Sequence, residues 1–150
     1  MKVFLEKEEY DKAIAFNDVN SLLSPRVHLM KNYAYTKKGM PDEAGFELLF
    51  AQKILENICL TGDGSKEDPY LVLRVQDERD VLNFLGEKFR MQALCKGEGF
   101  VYDSIQTESG KSFYFDITEC YSKLPQINLS DLMNDSQRVN KKVKPWWKFW

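Results

Sequence analysis

The sequence predicts an α+β fold: N-terminal antiparallel helical hairpins packed with a small antiparallel β-meander that carries one short helix. Three observations lead there. The first sixty residues place apolar side chains at helical spacing, interrupted at Ser24-Pro25 and at Gly39-Met40-Pro41. After Thr61 the pattern changes to short runs separated by glycine turns, at Gly62-Asp63-Gly64, Gly97-Glu98-Gly99 and Ser109-Gly110. Beyond residue 122 both patterns fade. The chain therefore divides into a helical segment (1–60), an α+β segment with the meander (61–122), and a polar linker with a basic-aromatic tail (123–150).

Residues 2–17 read as one helix with Tyr10, Ala13 and Ile14 on one face. Ser24 and Pro25 stand as N-cap and first residue of a second helix, which Gly39 ends. Pro41 opens a third, with Asp42 and Glu43 near its positive end. Its predicted inward stripe is Phe46, Leu49, Phe50, Lys53, Ile54, Asn57 and Ile58. Short connections make these helices antiparallel neighbours.

Residues 61–88 form the centre of the chain. Gly62-Asp63-Gly64-Ser65 is turn chemistry, since glycine reaches positive φ and Asp and Ser bond nearby backbone N–H groups. A phosphate-binding loop needs Gly-x-x-x-x-Gly-Lys-Ser/Thr before a helix, whereas a strand follows here. A calcium loop counted from Asp63 puts Asp68 where glycine is needed and Arg74 where a carboxylate is needed. The loop reads as a structural turn. Residues 70–75, apolar on both faces, predict an interior strand. Asp77 then serves as N-cap with Asp80 at N3, Val81, Leu82 and Leu85 face inward, and Gly86 closes the helix.

In the meander, Phe89, Met91, Ala93 and Cys95 alternate onto one face. Read as a two-residue loop, Ser109-Gly110 pairs Thr107 with Ser112 and Asp103 with Asp116. That register buries Phe100, Tyr102, Phe113, Phe115 and Ile117 together. The expected core is Phe46, Phe50, Ile54, Val81, Leu85, Phe89, Phe113 and Phe115.

The formal charge of −2 conceals an asymmetry. Five basic residues (Arg138, Lys141, Lys142, Lys144 and Lys148) and no acids follow residue 137, leaving 16 basic against 23 acidic side chains before them, a net −7. An acidic body disfavours nucleic acid as a partner, because phosphate contacts need clustered cations. Cys59, Cys95 and Cys120 are odd in number and form no Cys-x-x-Cys, which points to reduced thiols and a cytoplasmic setting. With His28 the only histidine, a Cys/His zinc site lacks ligands, and no cofactor motif is present. Val3-Phe4-Leu5 is too short an apolar run for a signal peptide, and the sequence has no membrane-spanning stretch.

The catalytic candidates are weak. Asp103 and Asp116, about 5 Å apart across a strand pair, repel, so one pKa should rise unless a cation or donor lies between them, and such a pair could bind a metal or serve as acid and base. His28 with a cysteine is a poorer candidate dyad, and His28 reads better as a packed or capping side chain. The tail residues Trp146, Trp147, Lys148, Phe149 and Trp150 are the partner-binding candidates. Aromatic rings among lysines fit a protein pocket, an anionic membrane surface, or an apolar groove on the chain's own body.

Tyr35, Gly39, Ala44 and Ala51 fall at a spacing that resembles a tetratricopeptide repeat, with small residues where two helices touch. Glu9-Tyr10-Asp11-Lys12-Ala13 resembles the second-helix opening of a preceding, incomplete repeat. Leu48 replaces the usual Phe, Glu56 replaces the terminal Pro, and the offset from Ala13 to Ala44 is short of the repeat length of about 34 residues. The wider order GDGSKEDPYLVLRV, DERDVLNFLG, MQAL, VYDSI and FYFDI, over residues 28–117, is similar to a family of small bacterial proteins of unknown function. In that family a tetratricopeptide-like segment precedes a Gly-Asp-Gly loop and a small α+β domain. Asp77-Glu78-Arg79 stands where the family pattern has Glu-Glu-Tyr. The resemblance implies a fold and no activity. The leading expectation is a cytoplasmic, non-enzymatic module that binds a protein through its helical surface, its tail, or both. The alternatives are a hydrolase or metal-dependent enzyme using Asp103 and Asp116, and a peripheral membrane protein docked by its tail.

Overall fold

The computed structural model describes residues 1–18, 21–97 and 99–122. The expected first helix is two short ones, α1 (Lys2–Glu6) and α2 (Tyr10–Ala15). Between them Glu8 takes a positive φ of 58°, and Glu9 N–H turns back to the Phe4 carbonyl at 2.8 Å. Four charged residues in a row (Glu6, Lys7, Glu8, Glu9) offer no apolar side chain to hold a continuous helix against its neighbours. Ala13 is fully buried, as its place on the inward face requires.

Helix α3 (Pro25–Lys37) starts as its sequence dictates: Ser24 Oγ accepts from Val27 N–H and Pro25 occupies the first turn. Gly39, at φ 70°, turns the chain into α4 (Pro41–Cys59). The face of α4 that goes inward differs from the expected one. Ala44, Ala51 and Leu55 are buried, whereas Phe46 and Phe50 are 66% and 53% exposed and Leu49 is half exposed. Small side chains let helix axes approach closely, and Ala34 of α3 is fully buried on the facing side. Asn32 of α3 donates to the Ala44 carbonyl at 2.7 Å, a bond that bulky side chains between the helices would prevent.

The loop after α4 is the expected turn. Ser65 N–H donates to Asp63 Oδ1 at 2.8 Å, and the amides of Asp63 and Gly64 both donate to the Asp68 carbonyl at 3.0 Å. Gly64, at φ 79°, accepts from Tyr114 N–H, and a Cβ there would lie 2.5 Å from the Tyr70 ring. A Gly64→Ala change is expected to lower stability by about 1–3 kcal/mol through backbone strain, read from the urea midpoint. An unchanged midpoint would mean that the loop is not seated on Tyr70.

Strand β1 (Tyr70–Leu71) is short and lies at the edge of the sheet rather than inside it. Burial alternates, with Tyr70 and Val72 inward and Leu71 and Leu73 exposed. The chain then enters α5 (Val75–Phe84), whose N-cap is Arg74 instead of Asp77. Val81 and Leu82 are buried as expected, Leu85 is partly exposed, and Gly86 follows the helix at φ 73°. Strands β2 (Phe89–Lys96), β3 (Val101–Thr107) and β4 (Ser112–Asp116) complete the sheet, and α6 (Thr118–Ser122) ends the described chain. The strand order is β1-β4-β3-β2. The last three strands form the expected antiparallel meander, but β1 joins β4 in parallel, so the sheet is mixed.

The hairpin register differs from the expected one by one residue. Glu108, Ser109 and Gly110 make a three-residue loop, with Gly110 at φ 88° and Thr107 N–H donating to the Lys111 carbonyl. Asp103 therefore pairs with Phe115, and Asp116 with Tyr102. Such a slip reverses the faces of one strand relative to the other. Asp103, Ile105 and Thr107 join Phe113, Phe115 and Ile117 on the core side, while Tyr102 meets Tyr114 on the other. In β2 a register shift between Phe89 and Met91 breaks the expected alternation.

One core joins the two halves of the chain. Leu55 of α4 packs with Tyr70, Val72, Val81, Leu82, Ile105, Phe115 and Ile117. Of the expected core, Val81 and Phe115 are buried, and Phe89 and Phe113 pack against the cluster partly buried.

Candidate functional site

Helix α5 carries acids that a surface helix would leave in water. Asp77, Glu78 and Asp80 are all buried. Two of them have cations. Arg26 of α3 grips Asp80 through Nε and Nη2, the shorter contact being 2.8 Å. Arg74 holds Asp77 at 3.2 Å and donates to the Leu23 carbonyl, which ties the segment before α3 to the start of α5. Burial pushes the Asp77 carboxyl up, against the pull of Arg74.

Glu78 has no such cation. It is 0% exposed, Asp103 is 4% exposed, and the two carboxyl groups share a hydrogen bond. Gln92 of β2 donates to Asp103 Oδ2 at 2.5 Å and reaches Glu78 Oε2 at 3.4 Å. Arg79 lies over the Phe89 ring, and its charge pulls the Glu78 carboxyl down only in part. Burial, then the charge of Asp103 and the hydrogen bond to it, push the Glu78 carboxyl up to about 9. Glu78 thus carries a proton at neutral pH, and its buried Oε1 has no hydrogen-bond partner among the described residues. The pair is a buried acid–carboxylate contact between α5 and the sheet.

This replaces the Asp103/Asp116 pair. Those two acids face opposite sides of the sheet, and Asp116 instead accepts from Thr118 N–H at 2.9 Å as α6 begins. The capping pattern of α5 does not by itself mark the partner of Asp103. One signal was available: Glu78 precedes Val81 and Leu82 by three and four residues, which places it on their buried stripe. His28 is also accounted for. Its Nδ1 meets Glu47 at 2.6 Å, its Nε2 meets the Leu22 carbonyl at 3.0 Å, and its ring stacks on Phe50. With both nitrogens engaged it forms no dyad with a cysteine. Among the described residues no group of three or more His, Cys, Asp or Glu is arranged to hold a metal ion.

The exposed chemistry is apolar. Phe46, Phe50, Ile54 and Ile58 recur every four residues and form one ridge along α4. Its C-terminal end borders a groove of about 250 Å³ lined by Leu23, Ile54, Ile58, Leu71 and Leu73, with Asn57, Thr61 and Asp77 completing the lining. Leu23 and Leu73 are more than half exposed. The groove lies where the loop before α3, the end of α4 and the outer side of β1 converge. The tail candidates Trp146, Trp147, Lys148, Phe149 and Trp150 lie outside the described residues.

A family model described as "Domain of unknown function (DUF4919)" matches residues 4–125. The chain belongs to that family. The DUF4919 match covers both the helical segment and the mixed sheet, and it ends before the basic-aromatic tail. No curated protein and no solved structure matches the chain. No helix among the described residues is long and apolar enough to cross a membrane.

Proposed function

We propose that this chain is a non-enzymatic, cytoplasmic protein-interaction module whose docking surface is the outward ridge of α4 and the groove at its end. The observation that carries this reading is the exposure of Phe46, Leu49 and Phe50 on a helix whose inward face is alanine-rich. Large side chains left outside while Ala44 and Ala51 make the internal contact fit a binding face. Buried alanines at the α3–α4 crossing and Gly39 in the left-handed turn also support tetratricopeptide-like hairpin geometry. Three cysteines with no disulfide among them support a reducing compartment. The enzyme alternative loses the geometry that motivated it, since Asp103 is buried and Asp116 faces the other side of the sheet.

The test is affinity capture with the full chain and with a Phe46→Glu/Phe50→Glu variant. The expected result is a partner retained by the first and lost by the second, with far-UV circular dichroism unchanged. Capture that the substitutions leave intact would remove the ridge as the docking surface.

A further inference from the structure

The groove beside β1 has a chemistry that selects its occupant. Its lining is mostly apolar, its one acid, Asp77, is already held by Arg74, and it sits on a body with net charge −7 through residue 137. An occupant that fits presents aromatic or aliphatic side chains together with cations. Such a segment exists in the chain: residues 144–150, KPWWKFW, in a stretch that carries five cations and no acid from Arg138 onward. The described chain also ends close to the groove. Cys120 of α6 donates its thiol to the Val72 carbonyl at 3.4 Å, and Val72 lies between the groove residues Leu71 and Leu73. From Ser122 to Trp146 the backbone spans up to about 80 Å when extended, at about 3.3–3.6 Å per residue, so reach does not limit return to the groove.

We infer that the groove formed by Leu23, Ile54, Ile58, Leu71 and Leu73 is the intrachain seat of residues 144–150. Indole rings fill the apolar walls, and the neighbouring lysines face the acidic body. A tail seated there covers the C-terminal end of the α4 ridge, so an incoming partner must displace it or bind beside it. The inference rests on reading this side of the molecule as a docking surface and gives the groove, one part of it, to the tail, but it is read by a different measurement.

All three tryptophans of the sequence, Trp146, Trp147 and Trp150, lie in the proposed occupant, so intrinsic fluorescence reports on it directly. The full chain is expected to emit to the blue of its urea-unfolded form and to resist acrylamide quenching. Leu23→Lys and Leu73→Lys, made separately at exposed positions on different segments, should each move emission toward the unfolded value and increase quenching, with the far-UV spectrum retained. Phe46→Lys, on the ridge but outside the groove, should leave emission in place. Folded emission equal to that of the unfolded chain overturns the proposal. A blue-shifted emission that neither groove substitution moves also overturns it, because the tail then packs elsewhere. Emission that changes with protein concentration assigns the tail to a second copy and likewise overturns the intrachain seat. Loss of partner capture in the Phe46→Glu/Phe50→Glu variant touches none of these readouts, so the two ideas stand or fall apart.

Discussion

Replacing Phe115 by alanine is expected to remove about 3–5 kcal/mol of stability, the usual cost of deleting a fully buried aromatic ring. Phe115 is 0% exposed and its ring tilts against Tyr70 with centroids 5.7 Å apart. It belongs to the one cluster that holds Leu55 of α4, Val81 and Leu82 of α5 and Ile105 of β3, so the cavity would open where the helical segment meets the sheet. A loss that large takes up much of the stability of an ordinary domain. Phe50→Ala supplies the contrast. Half exposed and stacked on His28, Phe50 should cost far less. Urea unfolding of both variants decides the matter, because equal losses would mean that the ridge of α4 faces inward.

Local signals in the sequence agree with the structure where one residue settles its own conformation. Ser24-Pro25 capped α3, Gly39 and Gly86 ended helices in the left-handed region, and Asp63 closed its turn on Ser65. Sequence pattern and structure differ where two segments must agree. The Ser109-Gly110 dipeptide is compatible with a loop of two or three residues, and that difference alone moved Asp103 from the outer face to the core. Helix α4 is apolar on more than one side, and periodicity cannot tell whether large or small residues go inward. Close helix packing favoured Ala44 and Ala51, which left the phenylalanines outside. The edge position of β1 follows from its parallel pairing with β4, a contact between residues far apart in the chain that no local pattern encodes. The candidate site inherits these limits: the groove and the Glu78/Asp103 pair both arise from such long-range contacts.

Stability is expected to fall as pH rises from about 5 to 9, and Glu78 is the main cause. Its carboxyl is pushed from an ordinary 4.5 to about 9 by burial, by the charge of Asp103 and by the hydrogen bond between them. The sign follows from proton counting. Below the ordinary value both folded and unfolded chains hold the proton, and the full contribution is present. Between the two values the native state keeps a proton that the unfolded state has released, so each added pH unit lowers stability by up to about 1.4 kcal/mol. Groups packed around Glu78 do not reverse this: Asp103 on β3 and Asp77 on α5 add negative charge, Gln92 on β2 is neutral, and the charge of Arg79, over Phe89, opposes the rise less than burial and Asp103 drive it. Glu87 acts oppositely, but at acid pH, because hydrogen bonds from Lys111 and Ser109 hold its carboxyl below the usual range. Glu78→Gln preserves a neutral hydrogen-bonding side chain of the same length, able to donate to Asp103 without titrating. It should match the native chain near pH 5, exceed it by a gap that widens toward pH 9, and flatten the slope. Glu78→Ala, which leaves Asp103 without that donor and opens a cavity, should be less stable than Glu78→Gln throughout. Urea unfolding of the native chain and both variants at unit steps of pH supplies the comparison. Parallel profiles for the native chain and Glu78→Gln would show that the proton between α5 and the sheet is not carried by Glu78.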